Sequence, residues 1–204
     1  MSIREIQVAA HNFIVHELDD VYDSVTGHAL TGSWVWNSAL VLSNWMSTHL
    51  NCQGKTVVEL GAGVGLPGLT AALLGASRVL LTDIQPVLHG LSKNVEANGF
   101  KERVEVKELV WGSETELGPF DVVLMSDVFY DLENMAGLGY TLKRITGEGT
   151  EVWAATELRS STGYCLNELM NQGFQVVEVQ NGMEDSNTFA IFQIICHDSP
   201  TPVI

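Results

Sequence analysis

Two groups of residues in this chain are spaced so that they could do chemistry together. In "VVELGAGVGLPGLTAALLG", residues 57–75, Gly61, Gly63, Gly65 and Gly68 follow directly on an apolar run and lead into a helical pattern. Glycines after a buried strand let the chain turn sharply and let a ligand approach main-chain N–H groups at a helix N-terminus. Pro67 suits the first turn of that helix. Two registers fit the loop: Gly61, Gly63 and Gly65 make GxGxG, and Gly63, Gly65 and Gly68 make the GxGxxG of a dinucleotide site. Asp83 ends the next apolar run, twenty-two residues beyond Gly61, where a carboxylate can accept hydrogen bonds from both hydroxyls of an adenosine ribose. Glycine loop and acid together point to a nucleoside ligand.

Other chemistries lack their residues. The "GKT" at Gly54–Thr56 is not a phosphate loop, because His49 stands where GxxxxGK needs its first glycine and the triplet precedes the strand. His11 and His16 are five apart, on opposite faces of a strand, and no HExxH or CxxC occurs, so no metal site is expected. No GxSxG marks a serine nucleophile.

The elements that must carry these residues follow from periodicity. "REIQVAA" and "FIVHEL" are β-prone runs that suggest a hairpin joined around His11-Asn12, and "DSVTGHALTG" reads as loop. From Trp36, "WNSALVLSNWMSTHL" places Ala39, Leu42, Trp45, Met46 and Leu50 at helical spacing, with "NCQG" as its stop. Strand-like "TVVEL", "RVLLTD", "VEVKEL", "DVVLMSD" and "EVWAATE" then alternate with helical segments, which predicts a parallel sheet with covering helices. The last two runs, "FQVVEVQ" and "TFAIFQIIC", are separated by "NGMEDSN", too short for a helical crossover, and should pair antiparallel. We expect one α/β domain over residues 1–204, with a hairpin-and-loop appendage at 1–33 ahead of a core at 34–204. Trp34, Trp45 and Trp153 are expected in that core.

Ten basic against twenty-five acidic residues give a formal charge of −15, which repels nucleic acid and anionic membranes and attracts cationic molecules or basic protein segments. Three widely spaced cysteines, an odd number, read as reduced thiols and suggest the cytosol, with the nucleus a second reducing compartment. The start lacks a signal-peptide pattern, and no apolar run approaches the ~20 residues of a membrane span. No heptad pattern demands a partner subunit, so a monomer is expected.

Three features favour S-adenosylmethionine over a nicotinamide dinucleotide: Glu59 just before Gly61, a GxGxG register beginning at the strand end, and a final hairpin in place of a separate substrate domain. At this point "ELGAGVGLPG" with "LLTD" resembles motifs I and II of the seven-strand S-adenosylmethionine-dependent methyltransferases. "TGSWVWNSALVLSNWM", "ELVWG" and "SDVFYD" are further similar to family 16 of these enzymes, which includes many non-histone protein-lysine methyltransferases. The resemblance spans most of the chain from about residue 30 and implies a Rossmann-like sheet, order 3-2-1-4-5-7-6 with strand 7 antiparallel and helices on both faces.

The resemblance also implies residue roles. Gly61, Ala62 and Gly63 would form the cofactor's loop, with Glu59 just before it, Asp83 would hold its ribose with Ile84 beside it, and Trp111 would lie on the adenine side. Trp36 and Ser126 match cofactor-lining positions, while Asn37 and Ser126 depart from the aspartate and alanine frequent there. Asp127 and Tyr130, the D-x-x-Y, would be the catalytic pair facing a lysine of a substrate protein. Methyl transfer needs chiefly alignment. The attacking amine must still be neutral, and lysine holds its proton to a pKa of ~10.4. A nearby carboxylate opposes that deprotonation, so Asp127 is assigned positioning of the incoming ammonium before general-base work. Tyr130 would supply an aromatic wall and a cation–π contact. A small-molecule amine methyltransferase, a nicotinamide oxidoreductase using GxGxxG, and an inactive cofactor-binding module remain as alternatives.

Overall fold

The computed structural model describes residues 2–18, 31–114, 116–184 and 187–196. Most of the expected loop "DSVTGHALTG" lies outside the described residues; its last two, Thr31 and Gly32, begin a short 3-10 turn, Thr31–Ser33.

The chain opens with a hairpin, β1 (Ser2–Val8) and β2 (His11–Glu17), that forms its own two-stranded sheet. The turn falls at Ala9-Ala10 rather than at His11-Asn12, because Val8 pairs with His11 and Ala9 takes a left-handed φ of 50°. Two-residue hairpin turns want positive φ, normally signalled by glycine or asparagine. Here an alanine takes that conformation, and composition does not reveal it.

Helix α1 (Asn37–His49) leads to β3 (Thr56–Leu60), α2 (Leu66–Leu73), β4 (Arg78–Asp83), α3 (Leu88–Ala97), β5 (Val104–Glu108) and β6 (Val122–Ser126). Then come α4 (Met135–Ile145), β7 (Glu151–Glu157), α5 (Thr162–Asn171), β8 (Phe174–Glu184) and β9 (Asn187–Cys196). The main sheet has seven strands in the order β5-β4-β3-β6-β7-β9-β8. Counted from β3, this is 3-2-1-4-5-7-6, with β9 antiparallel to both neighbours. The final hairpin is longer than its apolar runs suggest. Asn181–Glu184 and Asn187 continue the ladder beyond those runs, and a bulge lies between Glu178 and Gln180.

The central strands are buried on both faces, and alternation divides their side chains between two cores. Val57, Leu81 and Leu124 face α1, α2 and α3 through Leu42, Met46, Leu69 and Leu91. Val58, Leu80, Val123 and Met125 face α4 and α5 through Leu138, Leu142 and Leu169. Trp45 and Trp153 pack against the first core with ring centroids 4.6 Å apart. Among the described residues, no helix is long and apolar enough to cross a membrane.

The hairpin is tied to the core by asparagines. Asn98 accepts from Ile14 N at 2.9 Å and donates to Ile14 O at 2.7 Å; Asn94 accepts from His16 N at 2.7 Å and donates to His16 O at 3.3 Å. Four residues of helix rise about 6 Å and two residues of strand about 6.8 Å, so carboxamides at i and i+4 can match alternate residues of a strand edge. Asn94 also donates to Val64 O in the glycine loop at 3.1 Å, joining appendage to loop.

Candidate functional site

The order of the strands reverses beside β3, so the carboxyl ends of β3 and β6 flank a crevice. The chain leaves β3 through Gly61, Gly63 and Gly65 at φ 61°, 56° and 83°, a left-handed course that other residues resist. A Cβ on Gly63 would stand 2.6 Å from the carbonyl oxygen of Gly32. Glycine is therefore required there for space as well as for conformation. Asp83 braces the turn from below: Gly63 N donates to Oδ2 at 2.7 Å and Ile84 N to Oδ1 at 2.8 Å. Burial pushes the Asp83 carboxyl upward, and these two N–H groups oppose that shift.

The crevice holds a cavity of about 670 Å³, within the range of small-molecule and cofactor sites. Gly61, Ala62, Gly63, Asp83 and Ile84 line it. So do Trp111, from the segment after β5, and Ser126, the last residue of β6. Trp36, immediately ahead of α1, lines it too, together with Asp127 and Tyr130. The expected site residues thus converge on one cavity with a single exception. Glu59 points away from it, fully buried, with Oε2 accepting from Gly68 N at 2.8 Å and Oε1 without a hydrogen-bond partner among the described residues. Burial pushes its carboxyl well above the usual range. Its contact is with the first turn of α2, and through it Glu59 fixes how the glycine loop enters that helix.

Trp34 departs from expectation. It is 40 % exposed and lines the cavity instead of joining the core. Residues before α1 lie over the open crevice, so an aromatic there need not be covered.

Asp127 is placed differently from a free anchor for an incoming ammonium. It takes a left-handed φ of 56° and is 9 % exposed. Its Oδ1 accepts from Arg159 Nη1 at 2.8 Å and from the hydroxyls of Ser38 and Thr156, each at 3.2 Å; its Oδ2 accepts from Arg159 Nη2 at 2.9 Å. Arg159 also donates to Glu157 at 2.8 Å and lies over the Trp36 ring at 5.7 Å from its centroid. Such forked pairing is the strong, geometrically specific form of an ion pair. A non-glycine residue in the left-handed region costs about 1–2 kcal/mol, and this network holds it there. Tyr130 is 56 % exposed at the mouth.

Sequence reasoning missed Arg159, Ser38, Thr156 and Trp34. The available signal for Arg159 was slight: it is one of ten basic residues in an acidic chain and lies two positions beyond the end of β7. Among the described residues, no group of three or more His, Cys, Asp or Glu side chains could hold a metal ion.

A family model described as lysine methyltransferase matches residues 21–172. Protein N-lysine methyltransferase METTL21A of Danio rerio is 37% identical over 152 residues, 71% of this chain and 69% of the relative. EEF1A lysine methyltransferase 3 of Xenopus tropicalis is 35% identical over 164 residues, 77% and 73% of the two chains. Among solved structures, the Thermus thermophilus 16S rRNA N2 G1207 methyltransferase, in complex with AdoMet and guanosine, matches at a TM-score of 0.67 and 17% identity, covering 96% of this chain and 50% of that one. The Synechocystis magnesium protoporphyrin IX methyltransferase with bound SAH matches at 0.61 and 15% identity, covering 79% and 83%. These two likenesses concern the fold.

Proposed function

Because the chain belongs to the lysine methyltransferase family, we propose that it methylates lysine ε-amines of a partner protein, with S-adenosylmethionine as methyl donor. The observation that carries this reading is the meeting, in one cavity, of the glycine loop and Asp83 with Asp127 and Tyr130. Relatives named for lysines in proteins favour a protein acceptor over a free amine, and neither the small-molecule nor the nicotinamide reading gains from the family match.

The residues fit an adenosyl group. A carboxylate braced by two N–H bonds keeps further lone pairs for ribose hydroxyls. The glycine loop brings bare main chain to the wall, since a Cβ on Gly61 would stand 3.0 Å from Trp111 and 3.3 Å from Val128. Trp111, Ile84 and Trp36 supply apolar surface, and Ser126 a hydroxyl. When bound, S-adenosylmethionine supplies a sulfonium-activated methyl group, the new N–C bond forming as the C–S bond breaks and its electron pair remains on sulfur. The chain's own part is positional: Tyr130 walls the acceptor path, and the Asp127 network fixes the far side of the cavity. The acceptor nitrogen passes its proton to water. The three cysteines are free thiols, two of them buried, which supports a reducing compartment such as the cytosol.

Two measurements test the proposal. Calorimetry should show saturable 1:1 binding of S-adenosylhomocysteine. Methyl-labelled S-adenosylmethionine should label protein in a lysate from cells grown with a methylation inhibitor, and mass spectrometry should place the methyl groups on lysine. Absence of both binding and labelling overturns the proposal; label confined to small molecules replaces the protein acceptor with a free amine.

A further inference from the structure

The acceptor nitrogen must be neutral to attack, yet a carboxylate beside it stabilises the ammonium. Asp127 would impose that penalty if it stood alone. It does not: the Arg159 guanidinium is forked onto both of its oxygens at 2.8 and 2.9 Å, and Ser38 and Thr156 take further lone pairs. The charged groups of the segment between β6 and α4 are Asp127, Asp131 and Glu133, with the phenol of Tyr130; β4 ends in Asp83; the carboxyl end of β7 contributes Glu157 and its following loop Arg159. Arg159 is the cation in this set, and it lines the same cavity as Asp127, Trp36 and Tyr130. Removing one partner of a largely buried pair is heavily penalised, so an arriving lysine does not readily displace Arg159 from Asp127. The guanidinium is a fixed part of the wall.

We propose that Arg159 sets the charge of the acceptor bay, cancelling the pull of Asp127 on the acceptor's proton so that an amine can lose it to water. Arg159 is thus a positioning residue for the reaction. The inference rests on the lysine methyltransferase reading above.

A unit charge several ångströms away, at an effective dielectric near 20, moves an amine pKa by about one to two units. The test reads kcat against pH at saturating concentrations of the purified acceptor that lysate labelling identifies, because kcat reports groups in the bound complex. In Arg159→Gln the midpoint of the rising limb should move up by about one to two pH units. Near neutral pH, kcat should fall about ten- to a hundredfold with KM unchanged or lower, and wild-type rates should return at high pH. Arg159→Lys should keep the wild-type midpoint. Glu157→Gln, which removes a negative charge and leaves the Asp127 pair intact, should lower it. Thermal melts showing each variant folded at the assay temperature, with S-adenosylhomocysteine binding unchanged in Glu157→Gln, separate a charge effect from a folding defect.

If Arg159→Gln does not fold, the other two variants decide the matter. A midpoint that stays put in Glu157→Gln, or a uniform loss of rate across pH in Arg159→Gln, overturns the inference. Wild-type protein that neither binds S-adenosylhomocysteine nor labels lysate overturns instead the reading beneath it.

Discussion

Replacing Gly63 by alanine tests how the glycine loop is built. Two penalties add. The residue has φ 56°, which costs an alanine about 1–2 kcal/mol. Its Cβ would also stand 2.6 Å from a backbone oxygen, that of Gly32, and overpacking of this kind costs about 1–3 kcal/mol. The expected total is about 2–5 kcal/mol. The protein can relieve the clash by moving Gly32 outward or by turning Gly63 N away from Asp83, and both routes damage the cavity wall. Gly99 is the control. It has φ 73° and nothing within 4 Å of a built Cβ, so Gly99→Ala carries the conformational penalty alone, about 1–2 kcal/mol. Gly61→Ala should fall between them, because its near neighbours are the side chains of Trp111 and Val128, which can shift. Urea unfolding measures stability, and calorimetry with S-adenosylhomocysteine measures the site. Gly63→Ala should lose roughly tenfold or more in affinity, equivalent to at least about 1.4 kcal/mol, while Gly99→Ala binds as wild type. If the two variants unfold and bind alike, the proposed close approach of Gly32 to the loop is wrong.

Three further outcomes are expected. Glu59 is a carboxyl whose folded-state pKa is raised above the usual 4.5 by burial, so its contribution to stability is fully present below that value and is lost as pH rises through the folded-state value. Glu59→Gln keeps an oxygen for Gly68 N and removes the titration, so its melting temperature relative to wild type should climb as pH rises above the usual 4.5; a constant difference refutes this. Asn94→Ala should cost about 1–3 kcal/mol and weaken S-adenosylhomocysteine binding, because it severs the hairpin and Val64 O at once, whereas Asn98→Ala should lower stability and spare affinity in the same calorimetric assay. Asp127→Asn tolerates the left-handed backbone but gives up the charge that holds Arg159, and methyl transfer should drop about a hundredfold or more with cofactor binding retained. Full turnover in that variant would remove Asp127 from the reaction.

Most of the sheet is legible in the sequence because its elements are locally encoded. Val57, Val58 and Leu60, or Val122 to Met125, are strands by composition and length, and the short "NGMEDSN" excludes a crossover helix, which makes the last pair antiparallel. Where the sequence reading slipped, the local signal was absent: Ala9 adopts a turn conformation without glycine, and Asn181–Glu184, which read as a turn, pair as strand. The placement of the glycine loop and of Asp83 reads equally well. Gly61, Gly63 and Asp83 owe their positions to strand ends, and strand ends are visible in one dimension.

The acceptor side is another matter. The sequence by itself determined the alternation of strands and helices, the glycine turn, and the acids at the ends of β4 and β6. Only the tertiary structure decided what Asp127 touches. Ser38 comes from α1, Thr156 from β7 and Arg159 from the segment after β7, eighty-nine, twenty-nine and thirty-two residues away respectively. Periodicity reports which way a side chain faces relative to its own neighbours. The charge state and partners of a buried carboxylate depend instead on groups that meet it only when the sheet assembles, and no spacing along the chain records that meeting.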